Sequence, residues 1–273
     1  MQYWVQFGSK QPEAALPHLN LPAQDKDQLA RAPLDLVVCQ LRFQARELRA
    51  DKVFSIYGGL KDRLPTLLPL ERQTAEVTVG PQPGFSTQKD AGWTISSSDG
   101  SWTATLMPDS LSLQTTQHTT WTGAFEPLLE RLVNALAEHI QPEVELRVGV
   151  RYVDRLSDVG GQELSAWKGR VRDDILGIVL HPVLGPAITS EVQQIELEVA
   201  DHRGCTLKHG AFRDPARDAA ATYFVDTDTY HLEARPFDPQ QTIRTARELH
   251  EIAVGIFQQV ITSGYLAALK ETS

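Results

Sequence analysis

The stretch ELRVGVRYVDRL, Glu145–Leu156, decides how the chain is read. Taken with a period of two, Leu146, Val148, Val150, Tyr152 and Leu156 fall on one side, and Arg147, Gly149, Arg151, Val153 and Arg155 on the other. That alternation predicts a strand with one apolar face. At a rise of about 3.3 Å per residue, successive arginines stand about 13 Å apart along the polar face. Arg147, Arg151 and Arg155, with Tyr152 beside them, are therefore the candidate binding residues. A guanidinium is a rigid fork matched to phosphate or carboxylate, so the row suits a phosphate backbone or an acidic partner. The plainer reading is that the arginines pair with acids of neighbouring strands, such as Glu196, Glu198 and Asp226.

Before this strand the chain runs through an arm, residues 1–30, interrupted by Pro12, Pro17 and Pro22, with a short strand expected at Tyr3–Phe7. LDLVVCQLRF reads as a strand in which Leu34, Leu36, Val38 and, to a lesser degree, Leu41 and Phe43 alternate against polar positions. Asp51 is a candidate N-cap for a helix through KVFSIYGGLKDRL, weakened by Gly58 and Gly59 and ended by Pro65. ERQTAEVTVG reads as a strand and PQPGF as a loop. In GWTISSSDGSWTATL, alternating runs enter and leave Asp99-Gly100, which predicts a hairpin with a type I′ turn. LSLQTT continues the meander. Trp121, Phe125, Leu128, Leu129, Leu132, Val133, Leu136 and Ile140 then form a broad apolar stripe at helical spacing, with Thr120 or Thr122 as N-cap and Pro142 as the stop.

The order after Glu145–Leu156 is similar: a helical stretch LSAWKGRVRDDILGIVL loosened by Gly169 and Gly177, strands at SEVQQIELEVAD, GCTLKHGAF and ATYFVDTDTYHLE, and a long striped helix from TARELHEIAV to the end that bends near Gly264. The expectation is an α+β fold of two tandem halves, residues 31–142 and 143–273. Each half runs strand, helix, antiparallel strands, long helix. Together they form one curved antiparallel sheet with the long helices on one face.

Composition bounds the function. Of 273 residues, 41% are hydrophobic, enough for a real core, and no apolar run reaches membrane-spanning length. The first residues lack the basic and apolar regions of a signal peptide, so a cytoplasmic protein is expected. Two cysteines, Cys39 and Cys205, are too few for a disulfide framework. The formal charge of −9, from 26 basic and 35 acidic residues, argues against a general polyanion binder.

Motifs that carry chemistry are sparse. His202, Cys205 and His209 offer three metal ligands in H-x2-C-x3-H, yet they span a strand and its turn and lack a fourth partner. Asp226 and Asp228 share a strand face with the spacing of paired carboxylates, for which a solvated face is the simpler account. Trp93, Trp102 and Trp121 read as core, or as the lining of a gap between sheet and helix. No P-loop, nucleophile elbow, dinucleotide fingerprint or H-E-x-x-H is present. No catalytic residue, metal or cofactor is assigned.

Several of these stretches together resemble a sporadically distributed prokaryotic family of unknown function, about 250 residues long. They are Pro33-Leu34, Trp93 to Gly100, Leu111 to Thr115, Trp121 to Phe125, Arg147 to Asp154, and the late group Leu249, His250, Phe257, Ile261 and Thr262. Val150 and Asp154 stand where Leu and Asn are expected. The resemblance implies a cytosolic accessory protein, distributed as defence or mobile-element genes are, and supplies no activity. The expected function is a non-enzymatic adaptor acting with a partner protein. The alternatives are a nucleic-acid-binding saddle built on the arginine row, and a small-molecule carrier or enzyme with a sheet–helix pocket.

Overall fold

A computed structural model describes residues 19–25, 28–78 and 84–271, with backbone only for 72–78 and 84–90. The expected strand at Tyr3–Phe7 lies outside these residues. The fold is α+β. Its sheet is antiparallel throughout, and its strands are β1 (Leu34–Phe43), β2 (Thr66–Thr78), β3 (Gly84–Ser96), β4 (Trp102–Met107), β5 (Ser110–Thr115), β6 (Val144–Leu156), β7 (Ser190–Ala200), β8 (Arg203–Asp214), β9 (Ala220–His231) and the two-residue β10 (Arg235–Pro236). They lie in the order β2-β3-β4-β5-β1-β6-β9-β8-β7, with β10 against the start of β6. The helices are α1 (Ala50–Gly58), α2 (Glu126–His139), the single turn α3 (Asp173–Leu176), α4 (Pro239–Val260) and α5 (Ser263–Lys270).

The Glu145–Leu156 stretch is indeed a strand, and it sits at the middle of the sheet between β1 and β9. Val148, Val150, Tyr152 and Leu156 are buried as the alternation requires. The alternation breaks at the start. Leu146 is exposed and Glu145 is buried, because the β1–β6 register slips between Arg42 and Phe43. A bulge adds one residue and so exchanges the faces beyond it. On β1 the buried side is Val37, Cys39, Leu41 and Phe43, not Leu34, Leu36 and Val38, which are only partly buried.

Other expectations shift for local reasons. Asp51 lies in the first turn of α1, two residues after the Arg49 cap position. The Asp99-Gly100 turn closes between β3 and β4, but only Gly100 has positive φ, so it is not type I′. Instead the Asp99 carboxylate accepts from Ser97 Oγ, Ser101 N and Ser101 Oγ and holds a five-residue loop. Thr120 caps the Trp121 helix by accepting from Gly123 N, and the first turn, Trp121–Phe125, is π-helical. The stretch from Leu164 to Leu180 is no long helix: it divides into short turns around Gly169 and Gly177, both at positive φ. At the C-terminal end the helix breaks at Ile261 rather than Gly264, and Thr262 caps α5 by accepting from Tyr265 N.

Helix α4 ties the two hydrophobic clusters together. Its first half, through Ile243, Ala246, Leu249 and Ala253, joins the core of β1, β4, β5, α1 and α2. Its second half, through Ile256, Phe257 and Val260, joins the core of Trp167, Tyr223, Val225 and α5. Asp238 caps the helix by accepting from Gln240 N and Gln241 N. Leu249 is fully buried, and its truncation to Ala is expected to cost about 2–5 kcal/mol.

A candidate ligand-binding cleft between β6 and α4

The three arginines lie on the polar face of β6, and each meets a carboxylate. Arg151 Nε and Nη2 each donate to Asp226 at 2.7 Å. Arg155 Nε donates to Asp35 at 2.8 Å, and its Nη1 reaches Asp214 at 3.4 Å. Arg147 Nη2 lies 3.1 Å from both oxygens of Asp228 and its guanidinium lies over the Tyr230 ring. In register, Asp228 stands opposite Arg151, so Arg147 must reach forward along the strand. It does so over Gly149, where an added Cβ would lie 2.3 Å from Arg147 Nη1. Asp226 is the one partner named from the sequence that holds; Glu196 instead accepts from Thr206 and Gln194.

Tyr152 points the other way, into a cleft of about 480 Å³. One wall is β6, which presents Tyr152 and Asp154. The facing wall is a stripe of α4, where Arg247, His250, Glu251, Val254, Phe257 and Gln258 recur at helical spacing. The end is closed by His118 and Trp121, and Gln24, Asp25, Gln28, Leu29 and residues 32–34 of the arm lie along the mouth. The arm is held to α4 by paired amide bonds: Gln258 Oε1 accepts from Asp25 N, Gln258 Nε2 donates to Asp25 O, and Gln24 Nε2 donates to Glu251 O. Gly255 permits this approach, since a Cβ there would lie 2.7 Å from Gln24 Nε2 and 2.8 Å from Leu21 Cδ1.

The cleft's polar groups are tightly arranged. The Tyr152 hydroxyl lies 2.7 Å from His250 Nδ1. Trp121 stacks on His250 at 4.5 Å and on Phe125 at 5.0 Å. Burial pushes the His250 and His118 rings down to about 4, leaving both neutral at physiological pH. Trp121 Nε1 and His118 Nδ1 are buried with no hydrogen-bond partner among the described residues.

Asp154 is the unusual member. It is 6% exposed and lines the cleft, and burial, helped by the nearby Asp35 and Asp226 charges, pushes its carboxyl up to about 8. Four acids are buried among the described residues: Glu126, Glu145, Asp154 and Asp214. Three of them have an arginine, respectively Arg247, Arg235 and Arg155. Asp154 has none. An unpaired buried carboxyl is costly, and it persists where something else is gained.

The remaining sequence candidates do not converge. Cys205 and His209 are buried on β8, while His202 lies in the preceding turn at positive φ. His209 Nδ1 is 2.8 Å from the Tyr223 hydroxyl. No group of three or more His, Cys, Asp or Glu residues among the described ones is arranged to hold a metal ion. Both cysteines are buried and free. Of the tryptophans, Trp121 belongs to the cleft, whereas Trp93 and Trp102 pack at the edge of the core. No helix of the described residues is long and apolar enough to cross a membrane.

The sequence reading passed over Asp154, His118 and His250 as site residues. A signal for Asp154 was present: it occupies an even position in a strand whose even positions are otherwise apolar. Trp121, Tyr152, Asp154 and His250 lie in separate stretches of the chain, and folding brings them to one cleft. A comparison with models of known protein families gives no match, and a comparison with curated proteins likewise finds none.

Proposed function

We propose that this protein binds a small molecule in the cleft between β6 and α4, as a carrier or an enzyme, with Asp154 as its central polar group. One observation carries the reading. Among four buried acids, the one without an arginine is the one on the cleft wall. The surroundings suit a ligand: apolar walls with a few converging polar groups, and a volume within the usual range for small-molecule sites. A carboxyl that titrates near neutrality can exchange a proton with a bound molecule, which is the property a general acid or base needs. The test is a titration with Nile red, a neutral apolar dye. Wild type is expected to show one saturable site, and Val254→Trp, which fills the cleft from α4, to lose it. Equal binding by both proteins would sink the reading.

The adaptor reading keeps a separate observation in its favour. Ile178, Val183 and Leu184 are exposed in the segment that leads into edge strand β7, which itself exposes Val192. Exposed apolar side chains beside an unpaired strand edge suit a partner protein. A partner recovered by wild type and lost by the Val183→Glu, Leu184→Glu variant would support it; recovery unchanged by those charges would not.

The tandem-halves reading is also retained as a proposal. β1 and β6 pair at the centre, each has a later strand of its own half, β5 or β9, on its other side, and α2 and α4 come after those strands in the chain. The Leu164–Leu180 region is the weakest correspondence, since α1 has no equivalent long helix there.

A further inference from the structure

We propose that the ligand of the cleft is an organic ammonium ion, an amine on a compact apolar body, with the Asp154 carboxylate as its counter-charge; this rests on the cleft being the ligand site. Wherever else this fold buries a carboxylate among the described residues, it supplies a guanidinium: Arg247 to Glu126, Arg235 to Glu145 and Arg155 to Asp214. Asp154 lies on the same strand as Arg155 and Arg151, one and three residues away, yet those side chains project from the opposite face to Asp35, Asp214 and Asp226. Among these four acids Asp154 alone lines the cleft, and no side-chain cation of the described residues pairs with it.

The charged and titratable groups around that space reinforce the choice. Asp35 on β1 and Asp226 on β9 add negative potential at Asp154. Tyr152, His118 and His250 are neutral there at physiological pH, and Arg247 on α4 is already engaged by Glu126. At the mouth the Asp25 carboxylate is already paired with Lys270. Cation binding is therefore favoured by the local field and opposed by no unpaired positive charge among the described residues of the wall. Trp121, Pro33, Leu34, Val254 and Phe257 provide the apolar surface for the body of the ligand. The Trp121 ring is already stacked by His250 and Phe125, so selectivity for charge is assigned to Asp154 rather than to a cation–π cage. Binding is a proton exchange: the ammonium keeps its three hydrogens, and the proton held by Asp154 leaves to solvent.

The experiment is isothermal titration calorimetry with three probes of one shape, 2-phenylethylamine, 2-phenylethanol and 3-phenylpropionate. The amine is expected to bind wild type at pH 8 and to lose at least tenfold in affinity in Asp154→Asn, while the alcohol binds both proteins alike and the acid binds neither. With wild type alone, amine affinity should rise roughly 50-fold from pH 6 to pH 8 as Asp154 ionises, with a proton released per ligand at the lower pH. This second measurement stands even if the Asn variant does not fold. Alcohol binding as tight as the amine, or amine affinity flat across that pH range, overturns the ammonium assignment and leaves the cleft as a site for neutral ligands. Failure of all three probes to bind wild type overturns both readings.

Discussion

The hydroxyl of Tyr152 on β6 lies 2.7 Å from Nδ1 of His250 on α4, a contact between residues 98 apart in the chain. It fixes how the helix sits on the central strand, and it joins the buried face of the sheet to the cleft. Because the His250 ring is stacked under Trp121 and largely buried, a proton added to it is poorly solvated. The same burial governs His118, whose ring lies edge-on to Tyr152.

Acid should therefore weaken the fold through these two rings. Their folded values, about 4, lie below the ordinary 6.5, so between those limits the unfolded chain binds more protons than the folded one. The stability they contribute is complete above about pH 6.5 and is lost as pH falls toward 4, by on the order of 2 kcal/mol per ring. Urea midpoints from pH 7 to 4.5 measure this. A His118→Gln, His250→Gln variant with the same acid slope as wild type would contradict the assignment.

Asp154 should act in the opposite direction. Its folded value, about 8, lies above the ordinary 3.8, so the folded state holds the extra proton between them. Stability from this group is present at low pH and lost as pH rises from about 4 to 8. Asp154→Asn removes that loss and is expected to stabilise the ligand-free protein by about 2–4 kcal/mol at pH 8.5, with little change at pH 4. Chemical denaturation at both values decides it; a destabilised variant at pH 8.5 would mean that the carboxylate has a partner.

Glu145 makes a contrasting case. It is 1% exposed, accepts from Arg235 Nε at 2.7 Å, and its other oxygen accepts from Thr242 Oγ1. Arg235→Met leaves that charge buried and unpaired, and should cost about 3–5 kcal/mol. Adding Glu145→Gln should recover part of the loss, since it removes the charge that Met cannot match. Urea unfolding of the two single variants and the double variant gives the coupling.

On the polar face, Gly149→Ala should behave as an indirect Arg147 variant. The new Cβ would occupy the space of the guanidinium and free it from Asp228. The pair is only partly exposed, so each of Gly149→Ala and Arg147→Ala is expected to cost about 0.5–1 kcal/mol, and the double variant no more than either alone. Full additivity in a double-mutant cycle would show that the two residues are independent.

Gly255→Ala tests the arm. In an open helix the change would stabilise by about 1 kcal/mol. Here the added methyl meets Gln24 and Leu21, so the arm is expected to detach, with faster amide exchange at residues 19–25 and unchanged exchange in α4. Exchange measured by mass spectrometry would read both segments; unchanged protection of the arm would refute the contact.

What the sequence determined by itself is the local part. Alternation placed β1, β5, β6 and β9, the apolar stripes placed α2 and α4, and Asp99-Gly100 placed a turn, because periodicity and capping depend on neighbours within a few residues. Burial of Val148, Val150 and Tyr152 followed from the same rule. Only the tertiary structure decided the rest. A one-residue bulge at Leu146, opposite the Arg42–Phe43 step of β1, turned Glu145 inward and Leu146 outward, and no local pattern announces a slip in register against a partner strand. The arginine row, read as a possible docking face, found carboxylates on β1, β8 and β9, elements distant in the chain. Asp154 was visible as a letter in an alternating strand, yet its meaning required knowing that the strand's buried face opens into a cleft under α4. A side chain's charge is written in the sequence; whether a partner stands within reach of it is set by the packing of strands and helices that only the complete fold brings together.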